Sequence, residues 1–381
     1  MQKQEIRFGV IGCGLMGREF ASAAARWCHL LDLDFIPKIV AVCDQNEGAR
    51  AWFTSNLDSV TLSTADYREL LESSNVDAVY CAVPHNLHEQ FYVDILRSGK
   101  HLLGEKPFGI DREANQTIVD EIARHPSLVV RCSSEFPFFP AVQQIISAIE
   151  ENKFGTILDV SAGFLHSSDL DPDKPINWKR RNATNGEYGC LGDLGMHVLH
   201  VPLRSGWVPN NVRAILSNIV KERPDGKGGM SPCETWDNAQ ITCEVDSADQ
   251  HFPMLLETKR IAPGETNTWY LRISGTKFSA EFSTKYPKTL RTMSYSGGAQ
   301  AWQVQDIGYK SCYPAITGAI FEFGFSDSIL QMWAAFCDEV VHGDQMRQSF
   351  RCVTPQETLL SHRVLTAALE SNSKREVVSL D

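Results

Sequence analysis

The chain of 381 residues carries 36 lysines and arginines against 47 aspartates and glutamates, which gives a formal net charge of −11 at pH 7. This negative balance disfavours nucleic acids and anionic membrane surfaces as partners, because both would repel the protein. The length and a hydrophobic share of 43% predict a globular protein with two domains, each with its own core.

The N-terminal residues predict no signal peptide, since charged residues run directly into a strand without a small-residue cleavage site. No uninterrupted apolar stretch of about 20 residues occurs, so no membrane span is expected. The eleven cysteines are scattered without C-x-x-C pairs. This pattern favours reduced thiols in a cytoplasmic protein, with neither disulfides nor a metal site.

The first predicted element is an apolar strand that runs into a glycine motif, Gly12-x-Gly14-x-x-Gly17, and then into an alanine-rich helix from Leu15 to about Leu30. Gly12 permits a tight turn, Gly14 lets a pyrophosphate approach the backbone, and Gly17 lets the helix pack closely on the strand. The free N–H groups of the helix N-terminus then face the phosphates. The motif predicts a dinucleotide site formed by these glycines together with Cys13, Leu15 and Met16.

The second predicted strand, Ile39 to Cys43, ends at Asp44. A carboxylate at this position accepts hydrogen bonds from ribose hydroxyls and repels a 2′-phosphate, which favours NAD over NADP. Two alternatives stay open, because Arg50 is near enough to clamp a 2′-phosphate and Asp44 is also a candidate N-cap of the next helix. Asp44 lies farther than usual from the glycines, so we expect a long first crossover around residues 29–38.

Strand and helix patterns alternate as far as a proline- and aromatic-rich junction, which predicts an α/β fold with a doubly wound parallel sheet. We expect a dinucleotide-binding domain over residues 1–134 and an α+β domain over residues 135–381. Short strand-like runs between about residues 210 and 305 predict a large open, mostly antiparallel sheet with one face covered. The remaining expectations for the second domain are an irregular stretch over 167–192, an exposed loop over 222–232, and helices near 141–152, 196–205, 326–342 and 355–369.

Glu105-Lys106-Pro107 follows a short predicted strand, at the sheet edge where open α/β folds bind ligands. Lys106 is a candidate to contact a substrate oxygen beside a nicotinamide ring, where the cationic ring and partial burial would lower its pKa and allow it to exchange a proton. Pro107 would fix the turn, with a cis peptide bond as one option. The alternative for Lys106 is an ordinary solvent-exposed lysine.

Asp193-Leu194-Gly195-Met196-His197 places a carboxylate and an imidazole four residues apart. On a helix these side chains would share one face, and Asp193 would orient His197 as a general base for a hydroxyl proton. The alternative is a helix cap and a histidine at the edge of the core.

Upstream of this pair, Trp178-Lys179-Arg180-Arg181 combines an aromatic ring with three cations. Trp178 is suited to stack on a sugar, and Lys179 and Arg181 to bind hydroxyls or an anionic substituent. The alternative is a solvated basic loop with the tryptophan in the core.

Over nearly its whole length the chain resembles the glucose–fructose oxidoreductase/inositol dehydrogenase family of NAD(P)-dependent sugar oxidoreductases. The resemblance rests on these motifs, on the run from Ala82 to His88 and on the segment that begins at Gly99. It implies a Rossmann domain, a second domain on a large open sheet, NAD as cofactor, and a homodimer or homotetramer formed through that sheet. It also implies that Lys106, Asp193 and His197 are catalytic, and that Pro84, Asn86, His88 and Glu105 lie along the cofactor with Lys106.

Two departures from the family pattern leave the substrate open. Gly189-Cys190-Leu191-Gly192 replaces a run of three glycines, and Glu135-Phe136 stands where a basic or amide residue is frequent. The leading hypothesis is an NAD-dependent dehydrogenase of a sugar, sugar derivative or polyol, in which His197 takes the hydroxyl proton. One alternative is an NAD-dependent glycosidase that oxidises C3 transiently, eliminates, hydrates and re-reduces an anionic glycoside such as a uronate or sulfo-sugar. The other is a non-catalytic NAD-binding regulator.

Overall fold

The computed structural model describes residues 3–307, 311–317 and 323–380. Its N-terminal part is a parallel sheet of six strands, β1 Gln4–Ile11, β2 Phe35–Cys43, β3 Leu62–Thr64, β4 Ala78–Cys81, β5 His101–Gly104 and β6 Val130–Cys132. The strands lie in the order β3-β2-β1-β4-β5-β6, and every neighbouring pair is parallel. The predicted doubly wound sheet is confirmed, and its helices are α1 Leu15–Ala25, α2 Glu47–Asn56, α3 Tyr67–Glu72, α4 His88–Arg97 and α5 Arg112–Ala123.

The first crossover is as long as the distance from the glycines to Asp44 requires. Helix α1 ends at Ala25, earlier than predicted, and a 3₁₀ turn over Trp27–His29 leads towards β2. Strand β2 begins at Phe35, four residues before the predicted start, and runs through Pro37. Strand β3 was not predicted, because its three residues are too few to show a period.

The second domain is built on a sheet of nine strands, β7 Ile157–Leu165, β8 Pro209–Ser217, β11 Asn238–Ser247, β12 Gln250–Lys259, β13 Thr268–Gly275, β14 Phe278–Ser283, β15 Thr289–Ser294, β16 Gln303–Asp306 and β17 Val378–Ser379. The order is β16-β15-β14-β13-β7-β12-β11-β8-β17. Only β7 and β12 are parallel among these neighbours, so the prediction of a mostly antiparallel sheet is confirmed. The region predicted as an exposed loop instead forms a small hairpin of β9 Glu222–Pro224 and β10 Met230–Pro232.

In the described part of the second domain five helices accompany this sheet, α6 Pro140–Glu150, α7 Asn182–Asn185, α8 Cys190–Arg204, α9 Phe325–His342 and α10 Pro355–Lys374. Helix α8 begins six residues before the predicted start, and its residues from Cys190 to Leu203 are buried. It packs on β7 and β12, and the indole N–H of Trp269 in β13 donates to the carbonyl oxygen of His197 at 2.9 Å. Helix α8 is thereby fixed between the sheet and the N-terminal domain.

The last two helices return to the N-terminal domain. Helix α9 packs against α1 and β2, where Trp333 stacks on Phe8 with ring centroids 5.1 Å apart. Helix α10 packs against α5, and the Asn115 amide donates to Thr358 Oγ1 at 3.0 Å. These contacts hold the two sheets against each other. Within the described residues no helix is both long enough and apolar enough to cross a membrane.

Candidate active site

A cavity of about 820 Å³ lies between the two domains, at the edge where the parallel strands end. One end is formed by the glycine loop after β1 and by Asp44 after β2. The other end is formed by Lys106 after β5 and by Asp193 and His197 on α8. Because both domains contribute to one continuous cavity, a ligand bound along the Rossmann edge reaches the side chains of α8.

The glycine loop has the shape that a pyrophosphate needs. Gly12 has a φ of +95°, and a Cβ on it would collide with the carbonyl oxygen of Ala82. A Cβ on Gly17 would collide with the carbonyl oxygen of Gly12, whereas a Cβ on Gly14 would meet nothing within 4 Å. Gly14 therefore leaves open space in the cavity beside the N-terminus of α1, as close approach of a phosphate requires.

The residues between the glycines differ in whether their side chains face the cavity. Leu15 and Met16 line the cavity, and Leu15 is 68% exposed, an apolar surface that a bound nucleotide would cover. Cys13 is buried and points away, and its backbone N–H donates to Asp44 Oδ2 at 2.8 Å. The loop thus fits a dinucleotide through its backbone and through two of the three side chains that the motif includes.

Asp44 lies in the cavity wall with a fixed carboxylate. Oδ2 accepts from Cys13, and Oδ1 accepts from the backbone N–H of Asn46 at 2.8 Å. The alternative role of Asp44 as a helix cap is wrong, because Asn46 caps α2 by accepting from the N–H of Ala49. Arg50 donates to the backbone carbonyl of Asp44, which holds its guanidinium beside the strand end.

The predicted cofactor residues after β4 separate into two groups. Pro84 lines the cavity and Asn86 does not. His88 is fully buried, where Nε2 lies 3.1 Å from the carbonyl oxygen of Val83 and Nδ1 accepts from the N–H of Gly109. His88 therefore holds the loop in place and does not line the cavity, contrary to the expectation that it lies along the cofactor.

Asp193 is the centre of a buried charge cluster. Its Oδ1 accepts from Lys106 Nζ at 2.8 Å, its Oδ2 accepts from Lys179 Nζ at 2.9 Å, and Arg260 Nη2 lies 3.0 Å from Oδ2. The Asp193 side chain is 5% exposed. Burial alone would raise the pKa of Asp193, but the three cations outweigh burial and hold that pKa well below its usual range.

The two lysines of this cluster differ. Burial opposes the charge of Lys106, but Asp193 and Glu105 outweigh that effect and raise the pKa of Lys106 above its ordinary value. The prediction that the pKa of Lys106 is lowered is therefore wrong in sign. For Lys179, burial lowers the pKa and prevails over Asp193, with Lys106 and Arg260 repelling the charge further. Lys106 is consequently charged at neutral pH. The peptide bond between Lys106 and Pro107 is cis, one of the options that the sequence offered.

His197 does not use Asp193 as its partner. Within the described chain its Nδ1 hydrogen-bonds Ser134 Oγ at 3.1 Å, and the nearest carboxylate oxygen is Oε2 of Glu135 at 3.8 Å. The predicted Asp193–His197 hydrogen bond is wrong, because the three cations occupy the carboxylate. Burial, reinforced by the charge of Lys106, holds the pKa of His197 well below its usual range. The imidazole is therefore neutral at neutral pH and able to accept a proton.

The three adjacent cations point in three directions, because they follow one another around a 3₁₀ turn over Trp178–Arg180. Trp178 and Lys179 line the cavity. Arg180 is fully buried between Asp237 and Asp169, 2.9 Å from the latter. Arg181 lies outside the cavity and donates to Ser231 Oγ at 3.1 Å, so it does not join the predicted substrate site.

Comparison with known proteins identifies the family of this chain. Residues 6–131 match the family model described as "Oxidoreductase family, NAD-binding Rossmann fold", and residues 142–281 match the model of the GFO/IDH/MocA C-terminal domain. The chain belongs to the Gfo/Idh/MocA family. Its N-terminal domain is thus an NAD-binding Rossmann domain, and the protein is a member of a family of sugar oxidoreductases.

Two relatives illustrate the range of the Gfo/Idh/MocA family. Levoglucosan dehydrogenase of Pseudarthrobacter phenanthrenivorans is 27% identical over 334 residues, which covers 84% of this chain and 82% of the relative. The dTDP-3,4-didehydro-2,6-dideoxy-alpha-D-glucose 3-reductase of Actinomadura kijaniata is 30% identical over 192 residues, 50% of this chain and 53% of that protein. A solved levoglucosan dehydrogenase, in complex with NADH and L-sorbose, has a TM-score of 0.87 at 22% identity over 99% of both chains, which shows a shared fold.

Sequence reasoning missed several residues of this site in the Gfo/Idh/MocA fold. His166 follows β7 and Arg260 follows β12, and the parallel register places Leu165 beside Lys259, so both residues emerge at the same edge. Recognition of that parallel pair would have predicted their meeting. His85 also lines the cavity, where its Nδ1 donates to the carbonyl oxygen of Asn185 at 3.1 Å. Neither its spacing nor its neighbours distinguished it from His88.

Proposed function

We propose that the protein is an NAD-dependent dehydrogenase that oxidises a hydroxyl-bearing carbon of a neutral sugar or polyol. One observation carries the proposal: a neutral His197 and a charged Lys106 line the far end of the cavity that begins at the glycine loop. An acceptor for a proton and a donor to an oxygen are the two groups that oxidation of an alcohol requires of the protein.

The dinucleotide would be held by the backbone around Gly14, by Leu15 and Met16, and by Asp44. When bound, NAD supplies the acceptor for the hydrogen on the carbinol carbon. His197 Nε2 takes the hydroxyl proton, since Nδ1 is engaged by Ser134. Lys106 Nζ donates a hydrogen bond to the same oxygen as negative charge develops on it. Asp193 aims the ammonium group of Lys106 and keeps it charged.

Charge placement favours a neutral substrate. Arg180 is enclosed by two aspartates and Arg181 lies outside the cavity. Lys179, the remaining cation of that motif, donates to both oxygens of Asp193. A uronate or phosphate substituent would have to compete with Asp193 for Lys179. Trp178 lines the cavity and is suited to stack on the apolar face of a sugar ring.

Asp44 supports NAD as the preferred cofactor. Each of its carboxylate oxygens accepts one backbone N–H and keeps capacity to accept a ribose hydroxyl. Arg50 is held against the backbone at the same strand end. A 2′-phosphate would therefore meet a fixed carboxylate, and we expect NADP to bind more weakly than NAD.

The proposal is tested by measuring NADH formation with levoglucosan, glucose, myo-inositol, glucuronate and glucose 6-phosphate. One NADH formed per product, with a neutral sugar or polyol as the best substrate, supports it. A p-nitrophenyl glucuronide is assayed in parallel, and release of its aglycone without net NADH would establish the glycosidase alternative instead. If NAD binds and no member of the panel reacts in either way, the assignment as a dehydrogenase of these substrates is refuted.

A further inference from the structure

Glu135 is a buried acid in the wall of the cavity, beside His197. It begins the 3₁₀ turn Phe136–Phe138 after β6, is 3% exposed, and lines the cavity. Its Oε2 lies 3.8 Å from His197 Nδ1. Among the described residues, no hydrogen bond joins its carboxyl group to another side chain. The backbone N–H of Glu135 itself hydrogen-bonds the carboxyl group and opposes the effect of burial on its pKa. A buried carboxyl group that lacks a side-chain donor and lies beside the general base still requires a physical explanation.

His197 needs a compensating charge when it becomes an imidazolium. Phe136 and Phe164 pack edge-on against its ring, with centroids 5.2 and 5.4 Å away. These rings supply no compensating charge, and Asp193 is bound to three cations. Among the described residues, Glu135 is the one whose carboxyl group lies within 4.0 Å of an imidazole nitrogen of His197.

We propose that Glu135 is the acidic partner of His197 and ionises to stabilise the imidazolium that forms when His197 takes the hydroxyl proton. The inference rests on the proposed dehydrogenase function. The substrate O–H bond breaks and an N–H bond forms on Nε2, while the O–H bond of Glu135 breaks and its proton passes to water in the cavity. The pair then resets, because His197 loses its proton to water and Glu135 regains one. Each turnover therefore releases the single proton that oxidation of an alcohol by NAD produces.

The surroundings of Glu135 set the pH range of this behaviour. Burial raises the pKa of Glu135 to about 8, with the charge of Glu105 adding to the effect and Lys106 opposing it. Tyr80 faces the same pocket and donates its hydroxyl to Glu105 Oε1 at 2.6 Å. His197 is already neutral in this range, whereas Lys106 stays charged. Ionisation of Glu135 is thus expected to be the nearest titration to His197 around pH 8.

The first test needs no catalytic activity. The protein labelled with ¹³Cε1-histidine is titrated from about pH 6 to pH 10, and the His197 resonance is assigned with His197→Gln. In the wild type this resonance should change with a midpoint near pH 8, because a negative charge appears beside the ring. In Glu135→Gln the inflection should be absent, and in the exposed control Glu72→Gln it should persist. An unchanged inflection in Glu135→Gln overturns the inference.

The second test is the pH dependence of kcat on the best neutral substrate. We expect the wild-type kcat to rise by about tenfold or more through pH 8, because above that pH Glu135 is ionised before the hydroxyl proton is taken and need not release its own proton in the same step. Glu135→Gln should lose that rise while KM and NAD affinity change less than about twofold. Lys179→Arg should keep the rise, since arginine stays charged. If Glu135→Gln keeps the rise, or changes KM alone, the inference fails although the dehydrogenase assignment stands. A wild type without activity refutes the proposed function and leaves the histidine titration as the test of the pair.

Discussion

Replacement of Asp193 by asparagine should destabilise the protein as well as inactivate it. Asparagine keeps the size of the side chain and removes the charge that three cations share. The main cost comes from Arg260, which is 2% exposed and, within the described part of the chain, has one hydrogen bond besides this ion pair, from Nη1 to the carbonyl oxygen of Lys179 at 3.2 Å. Leaving a buried charge without its partner costs about 3–5 kcal/mol.

The two lysines add less to this cost. Lys179 is 37% exposed, so water replaces most of its lost interaction and its share is below about 1 kcal/mol. Lys106 is 15% exposed and opens on the cavity. We therefore expect Asp193→Asn to lower the free energy of unfolding by about 3–5 kcal/mol, or Tm by roughly 6–20 °C.

Calorimetry and denaturant unfolding of four proteins test this reasoning: wild type, Asp193→Asn, Arg260→Met and the double variant. The double variant should be less destabilised than the sum of the single variants, since it leaves no unpaired guanidinium. The exposed control Asp58→Asn should change Tm by less than about 2 °C. A loss in Asp193→Asn as small as in that control, or full additivity in the double variant, would refute the view that Asp193 neutralises a buried Arg260.

Four further outcomes are expected. Asp44→Ser should reduce the ratio of NAD affinity to NADP affinity, because it removes the ribose acceptor and the repulsion of a 2′-phosphate. Titration of both nucleotides measures this ratio, and tighter binding of NADP than of NAD by the wild type would contradict the expectation. His197→Ala should lower kcat by a factor of about 10²–10⁴ with NAD affinity nearly unchanged. Near-normal turnover would mean that His197 is a structural residue and not the general base. Lys179→Met should lower kcat/KM by about 10- to 100-fold on neutral and anionic sugars alike, whereas Arg181→Met should have little effect; a loss confined to uronates would favour an anionic substrate. Arg204 and other neighbours overcome the effect of burial and lower the pKa of Glu357 to about 2. The Glu357 carboxylate therefore contributes about 3 kcal/mol to the free energy of unfolding above pH 4.5, and this contribution disappears as pH falls towards 2. The free energies of unfolding of Glu357→Gln and of the wild type should converge over that interval, and a constant difference between them would contradict this reasoning.

The sequence by itself predicted the features that depend on residues close together in the chain. The turn at Gly12, the open space at Gly14 and the position of Asp44 at the end of β2 follow from a strand, a glycine motif and a helix in succession. The same holds for Lys106, which follows a short strand at the binding edge of the sheet. In each case the local backbone fixes where the residue lies, because the ends of parallel strands share one edge.

Tertiary structure alone decided which partner each side chain has. Asp193 and His197 are four residues apart on α8, as the spacing predicted, yet Asp193 binds Lys106, Lys179 and Arg260 from three distant segments. A buried carboxylate is stabilised more by cations than by a neutral imidazole, so Asp193 pairs with the three cations and not with His197. His197 was thereby left beside Ser134 and Glu135. Spacing fixed which face of the helix these residues share, while long-range packing fixed the charge that each one carries.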